Sequence, residues 1–257
     1  MSSFSSPAVL LRRVDHGDYD LILTFFTPSR GRVSAIAKAA KKSTKRFSGV
    51  LELFSELRIV CTYGRKKGLP VLQEAALQRG FAGIRGDLLR TAYASYWAQL
   101  IGEWSEEGQP VGSLYHLFLH CLTRLDRGQG PPAAASLLFQ IRFLGIAGLA
   151  PNFGECRKCG RPISAFDADR CFFDMTGGAI VCESCGPPQG RSVALGKATV
   201  MQLRWMQKEE LAKAERVRIT AQAMAEGARL LESFVPFHLG KEPKSLRFLR
   251  QIRDGAL

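Results

Sequence analysis

The sequence predicts an α+β protein: a small β-barrel first, then helices with a cysteine-rich module inserted among them. Three observations lead there. Apolar residues recur with period 2 through the N-terminal part and with period 3.6 afterwards. Four of the seven cysteines fall into two Cys-x-x-Cys pairs inside one irregular stretch, residues 152–190. A chain of 257 residues buries roughly 70% of the surface its unfolded form exposes, enough for a real core.

The elements follow in order. Ala8–Val14, Tyr19–Phe26 and Gly31–Ala37 are apolar-rich runs, separated by the turn-prone pieces Asp15-His16-Gly17-Asp18 and Thr27-Pro28-Ser29-Arg30-Gly31. Phe54–Tyr63 and Leu69–Leu77 flank a Gly64–Gly68 turn. Five strands in this span suit a closed barrel of the OB type better than a sandwich, which needs about seven. Between the third and fourth strands lies a basic loop, Lys38–Arg46. Gly80–Gly86 reads as a linker. Leu88, Leu89, Ala92, Tyr93, Tyr96, Trp97, Leu100, Ile101 and Trp104 then form one helical face. A second helix carries Leu114, Leu117, Phe118, Cys121, Leu122 and Leu125, up to the Gly128–Pro132 break, and a third spans Ala133–Leu144. Helices resume over 196–214 and 219–239, with Pro236 expected to end or kink the last. A short basic helix with Lys244, Arg247, Arg250 and Arg253 follows. The expected division is a barrel over 1–80, helices over 81–151, the cysteine module over 152–190 and further helices over 191–257.

An odd number of cysteines without an export signal argues against a disulfide framework. Cys156-Arg-Lys-Cys159 and Cys182-Glu-Ser-Cys185 stand 22 residues apart. A zinc ion takes four soft thiolates at tetrahedral corners, and each Cys-x-x-Cys turn supplies two of them. Gly160 and Gly186 follow the pairs, and Gly177-Gly178 between Phe172-Phe173 and Ala179–Val181 signals a hairpin. The expectation is a zinc ribbon with one structural Zn2+ on Cys156, Cys159, Cys182 and Cys185. With every corner filled, no position is left to activate water. Cys171 either replaces one ligand or stands by. Cys61 and Cys121 read as small core residues. His116 and His120 lack the general base of a His-Glu-x-x-His site, and neither a phosphate loop nor a nucleophile elbow is visible, so no enzymatic activity is expected.

Charge narrows the partners. Lys and Arg number 36 against 23 Asp and Glu, a net +13, and residues 1–80 hold 14 basic and six acidic side chains. Such an excess favours a polyanion, nucleic acid or an anionic membrane face. No apolar run approaches the ~20 residues of a membrane span, and the N-terminus lacks a secretory pattern, so a cytoplasmic protein with no membrane partner is expected. No acidic residue lies between Asp20 and Glu52. Arg30, Arg32, Lys38, Lys41, Lys42, Lys45, Arg46, Arg65, Lys66 and Lys67 are therefore expected to bind phosphates. Phe25, Phe26, Phe47, Phe54 and Tyr63 are candidates for stacking on bases, with most of them expected to prove core.

These residues carry a family resemblance. Val33-Ser-Ala-Ile-Ala-Lys-Ala-Ala-Lys-Lys-Ser43, after Thr27–Gly31, resembles the third-strand region of the RecO family of DNA repair proteins. Gly49–Leu57 is similar to that family's next segment, Pro151-Asn-Phe-Gly-Glu-Cys156 to the lead into its four-cysteine ribbon, and Gly240–Arg250 to its C-terminal helix. The match runs in order along essentially the whole chain. The resemblance implies an N-terminal OB barrel followed by an α-helical domain with an inserted four-cysteine zinc ribbon. It implies a nucleoid-associated, non-enzymatic recombination mediator that binds single- and double-stranded DNA and anneals complementary strands. With RecR, such a protein helps RecA load onto DNA coated by single-stranded DNA-binding protein. It also implies that the acidic, phenylalanine-ending tail of the single-stranded DNA-binding protein docks in the helical domain, where Arg142, beside Phe143 and Leu144, is the candidate contact. Charge and cysteines alone also fit an RNA-binding or translation-associated zinc-ribbon protein.

Overall fold

In the computed structural model the N-terminal period-2 pattern closes into a five-stranded barrel. The structure describes residues 2–43, 45–64, 68–216 and 218–255. Two units form, Met1–Arg127 with Arg247–Leu257, and Gly128–Leu246.

In the first unit the barrel strands are β1 (Ser3–His16), β2 (Asp20–Thr27), β3 (Gly31–Ala37), β4 (Glu56–Thr62) and β5 (Val71–Arg79). Their closed order is β1-β2-β3-β5-β4, antiparallel throughout except for β3 with β5, as in an OB barrel. Alternate residues point inward: Leu21, Leu23 and Phe25 from β2, Val33, Ala35 and Ala37 from β3, Leu57, Ile59 and Cys61 from β4. β1 starts five residues earlier than the sequence pattern indicates. It pairs with β4 over Ser3–Val9 and with β2 over Val9–His16, with a register shift between Leu10 and Arg12. The serines and Pro7 hide this first half, yet Phe4, Ser6 and Ala8 are the buried alternate positions. β4 begins at Glu56 because Phe54 takes a left-handed φ of 69° and leaves the ladder.

After the barrel this unit carries α1 (Ala82–Arg85), α2 (Leu88–Trp104) and α3 (Gly112–Arg127), and the C-terminal residues Arg247–Leu257 also belong to it. Asp87 caps α2 by accepting from the Arg90 N–H. The β2–β3 turn lies against the segment after α2: Gly108 N donates to the Arg30 carbonyl at 2.9 Å, and Val111 N to that of Pro28 at 3.0 Å. Gly31 permits this approach. Its φ is +59°, and a Cβ there would lie 2.4 Å from the Glu106 carbonyl oxygen.

The second unit holds α4 (Pro132–Ile146), then a three-stranded sheet of β6 (Arg170–Asp174), β7 (Ala179–Cys182) and β8 (Ser192–Gly196) in the order β7-β6-β8. It continues with α5 (Lys197–Lys208), α6 (Leu211–Ala214) and α7 (Ala221–Leu239). Helix α8 (Lys244–Arg253) is the basic helix the sequence indicates. The helix expected over 196–214 divides, because Glu209 and Glu210 are extended. Pro236 does not end α7, which runs on to Leu239. Buried Phe234 and Val235 hold the turn in which its missing N–H would sit. No described helix is long and apolar enough to cross a membrane.

Glu226 of α7 fastens the start of α5. Gly196, the residue capping that helix, has no side chain of its own. Glu226 Oε2 accepts from Gly196 N at 2.8 Å and from Thr199 Oγ1 at 2.6 Å, and Oε1 accepts from Gln222 Nε2 at 3.0 Å. Burial acts to raise this carboxyl, but these donors, with Arg229 nearby, bring it below its ordinary value. Glu226→Ala is expected to cost about 1–2 kcal/mol at neutral pH. A depressed carboxylate stabilises the fold fully above the unfolded-state value of ~4.3 and progressively less as pH falls. Thermal unfolding of both proteins should show a gap that is largest near neutrality and narrows in acid.

Candidate metal centre and nucleic-acid interface

The two cysteine turns are built alike. In the first, Cys156 N donates to the Arg161 carbonyl and Gly160 N to the Cys156 carbonyl, both at 2.8 Å. In the second, β7 ends on Cys182, the chain makes a 3-10 turn over Glu183–Cys185, and Gly186 N donates to the Glu183 carbonyl at 2.8 Å. Gly160 and Gly186 close these turns with φ of 71° and 70°. The β6–β7 hairpin then carries the second turn to the first. The sulfurs of Cys156, Cys159, Cys182 and Cys185 all lie within 4.8 Å of one another, and those of Cys159 and Cys182 are 3.8 Å apart. A tetrahedron with zinc–sulfur bonds of ~2.3 Å has edges of about 3.8 Å. An all-sulfur donor set at that spacing can hold a soft divalent metal.

The surroundings favour a thiolate at Cys156 but not at Cys182 or Cys185. Burial pushes the Cys156 thiol up, but the N–H groups of Cys182, Cys159 and Lys158 aimed at its sulfur outweigh it and bring it down to about 6. Cys182 is raised by burial, and Cys185, hydrogen-bonded to the sulfurs of Cys182 and Cys159, is pushed up to about 12. Four thiolates at this distance repel one another, and a dication removes that conflict. Lys158 Nζ reaches across to the Cys185 carbonyl at 3.1 Å and so ties the two turns together. Arg157 pairs at 2.7 Å with the buried Asp174 of the hairpin. Cys171 lies outside the cluster. It is opposite Cys182 in the β6–β7 register, but its thiol donates to the Leu195 carbonyl at 3.6 Å, and burial pushes it up to about 12.

The ribbon shares a core with its helices. Phe153, Phe173 and Phe234 form a continuous row with centroid separations of 5.8 and 5.1 Å, and His238 meets Phe234 edge-on at 4.4 Å. β8 leads directly into α5. Arg142 donates to the Glu209 carbonyl at the end of α5. Its guanidinium is thus engaged in holding the helix end, and burial lowers its pKa.

The basic residues of the barrel divide into two groups. Arg32 donates to the Gly102 carbonyl at 2.5 Å, and the Arg30 guanidinium lies 4.4 Å over the Phe4 ring. Both fasten the β2–β3 turn. The second group is the Lys38–Arg46 loop, docked on the β1–β2 hairpin. There Lys41 N donates to the Tyr19 carbonyl at 3.0 Å and Ala39 N to Asp20 Oδ1 at 2.7 Å. Lys41 Nζ pairs with Asp15 at 3.0 Å, and Arg46 donates to the Lys38 carbonyl at 2.9 Å. Lys42 Nζ stands 3.4 Å over the Tyr19 ring. Lys38 and Lys45 are exposed and make no ion pair among the described residues. Arg65, Lys66 and Lys67 lie outside the described residues. As expected, most of the candidate aromatics are core. Phe25, Phe26, Phe47 and Phe54 are buried, and Tyr63 is half-buried against Phe4, 5.8 Å away. The exposed ring beside the basic loop is that of Tyr19, which sequence reasoning took only as a strand start.

Comparison with known proteins covers the whole chain. The family model described as Recombination protein O N terminal matches residues 1–81, and the one described as Recombination protein O C terminal matches residues 85–247. The chain is 43% identical over 254 residues to the DNA repair protein RecO of Desulfatibacillum aliphaticivorans, covering 98% of both chains. It is 41% identical over 258 residues to the DNA repair protein RecO of Desulfosudis oleivorans, covering 98% of this chain and 99% of that one. The DNA repair protein RecO of Anaeromyxobacter sp. (strain K) is 35% identical over 244 residues, 95% of this chain and 94% of the relative.

Proposed function

The chain belongs to the RecO family of DNA repair proteins, and from that premise we propose that it is a recombination mediator without enzymatic activity. It binds single- and double-stranded DNA through the barrel, anneals complementary strands, and with RecR assists RecA onto DNA coated by single-stranded DNA-binding protein, whose acidic tail the helical part receives. Its place of work is the nucleoid. The observation that carries this reading is the Lys38–Arg46 loop, with five cations and no carboxylate in its sequence, held on the barrel by main-chain hydrogen bonds. Cations fixed in this way neutralise phosphates without reading bases. Lowering the repulsion between two strands lets base pairing proceed downhill, with no nucleotide hydrolysis. The ribbon holds one Zn2+ on Cys156, Cys159, Cys182 and Cys185, which braces the helices and takes no part in a chemical step.

The test is a titration of the protein with single-stranded DNA, duplex DNA and RNA of equal length at rising salt, with and without RecR. Four to six phosphate contacts give log K against log salt a slope of roughly −3 to −5. Accelerated annealing of complementary DNA and complex formation with RecR are the expected outcomes. Binding confined to RNA would favour a translation-associated protein, and indifference to DNA in dilute buffer would overturn the mediator reading.

A further inference from the structure

We propose that Tyr19 is a stacking platform for one unpaired base, so that the rim of the barrel grips base-bearing single strands more tightly than backbone contacts alone would allow. The proposal rests on the DNA-binding reading above and adds to it the residue that distinguishes an open strand from a duplex. Tyr19 sits at the tip of the β1–β2 hairpin and is 47% exposed, a large apolar side chain left in water among turn residues. Its ring is not free to swing. The Lys42 ammonium lies 3.4 Å from the ring centroid, and the Tyr19 carbonyl accepts from Lys41 N, so the ring and the main chain after it are both tied to the basic loop. The cation takes one face of the ring, and with 47% of the residue accessible the opposite face is the one a base would meet.

The charges around it are arranged to leave that plane usable. Three carboxylates, those of Asp15, Asp18 and Asp20, lie in the hairpin. Two of them are engaged with the basic loop: Asp15 with Lys41, and Asp20 with the Ala39 N–H. The exposed ammonium groups of Lys38 and Lys45 belong to the same docked loop, where they meet the phosphates flanking a stacked base. Base–aromatic stacking tolerates every base, since each has a π-face, which suits a protein that must act on any sequence. Bases in a duplex are already stacked and paired, so the contribution is available only to an open strand.

The experiment compares the full chain with Tyr19→Ala and Tyr19→Phe, using three labelled probes of equal length: an oligothymidine, a strand of the same length with abasic sites, and a duplex. Tyr19→Ala is expected to weaken oligothymidine binding roughly tenfold, with abasic-strand and duplex affinities changed less than about twofold. Tyr19→Phe should bind like the parent. The slope of log K against log salt should be unchanged in Tyr19→Ala, because no phosphate contact is lost. Equal weakening on the thymidine and abasic strands, or a shallower salt slope, would show that Tyr19 only props the basic loop and would overturn the proposal. So would no change on any probe. If the parent protein ignores all three probes, the DNA-binding reading itself falls, an outcome separable from the others.

Discussion

Replacing Cys159 by serine is expected to strip the metal from the ribbon and unfold much of the second unit. A serine hydroxyl stays protonated near neutral pH and is a poor ligand for a soft cation, which leaves three thiolates without a fourth corner. A structural zinc contributes on the order of 10 kcal/mol of binding free energy, and that energy is folding energy where no site exists in the unfolded chain. The loss should not stay local. A metal on the four clustered sulfurs would tie the first cysteine turn to the β6–β7 hairpin, and the hairpin packs through Phe173 onto Phe234 of α7. The parent should hold about one zinc per chain. The variant should hold none, express poorly and melt more than about 10 °C lower, at 2–4 °C per kcal/mol for a chain of this size. Cys171→Ser is the control. Its thiol contacts the Leu195 carbonyl and stands apart from the four clustered sulfurs, so its zinc content should equal the parent's. Full zinc in Cys159→Ser with loss in Cys171→Ser would mean that the ligand set is wrong.

The ribbon was legible in the sequence because cysteine spacing is itself a geometric constraint. Two residues between thiols fix a turn, and a glycine after each pair lets the chain reverse. The barrel was legible from alternation wherever one face of a strand is polar. It failed at the start of β1, where Ser6 takes the buried position between Phe4 and Ala8 and breaks the apolar alternation. It does not single out an exposed stacking ring, for the opposite reason. β2 is covered on both faces: Phe25 enters the barrel core, and Phe26 packs on Tyr115 and Phe118 of α3 at 5.9 and 6.4 Å. Alternation alone therefore could not say which phenylalanine faces solvent. Charge was half legible. The sign asymmetry of residues 21–51 is plain in the sequence, but not which cations the fold already uses. Arg32 on the Gly102 carbonyl and Lys41 on Asp15 are long-range contacts that no local pattern encodes.

That division of the cations gives the second large effect. Lys38→Gln with Lys45→Gln removes two exposed ammonium groups that hold no internal contact among the described residues. The fold should be unaffected, since substitutions at such positions usually stay within about 0.5 kcal/mol. If both side chains meet phosphates, the slope of log K against log salt should fall by about 2 in magnitude, and affinity at 0.1 M salt should drop up to about a hundredfold, on duplex and single strand alike. Arg32→Gln makes the contrast. It removes one formal charge, where the double variant removes two, and also the bond to Gly102, so its main effect should be on thermal stability, with a nearly unchanged salt slope. Lys41→Gln should fall between the two, because its ion pair with Asp15 helps hold the loop in place. If all of these substitutions lowered the slope equally per charge removed, the barrel would be acting as a diffuse positive field, and the docked Lys38–Arg46 loop would lose its claim to be the DNA contact.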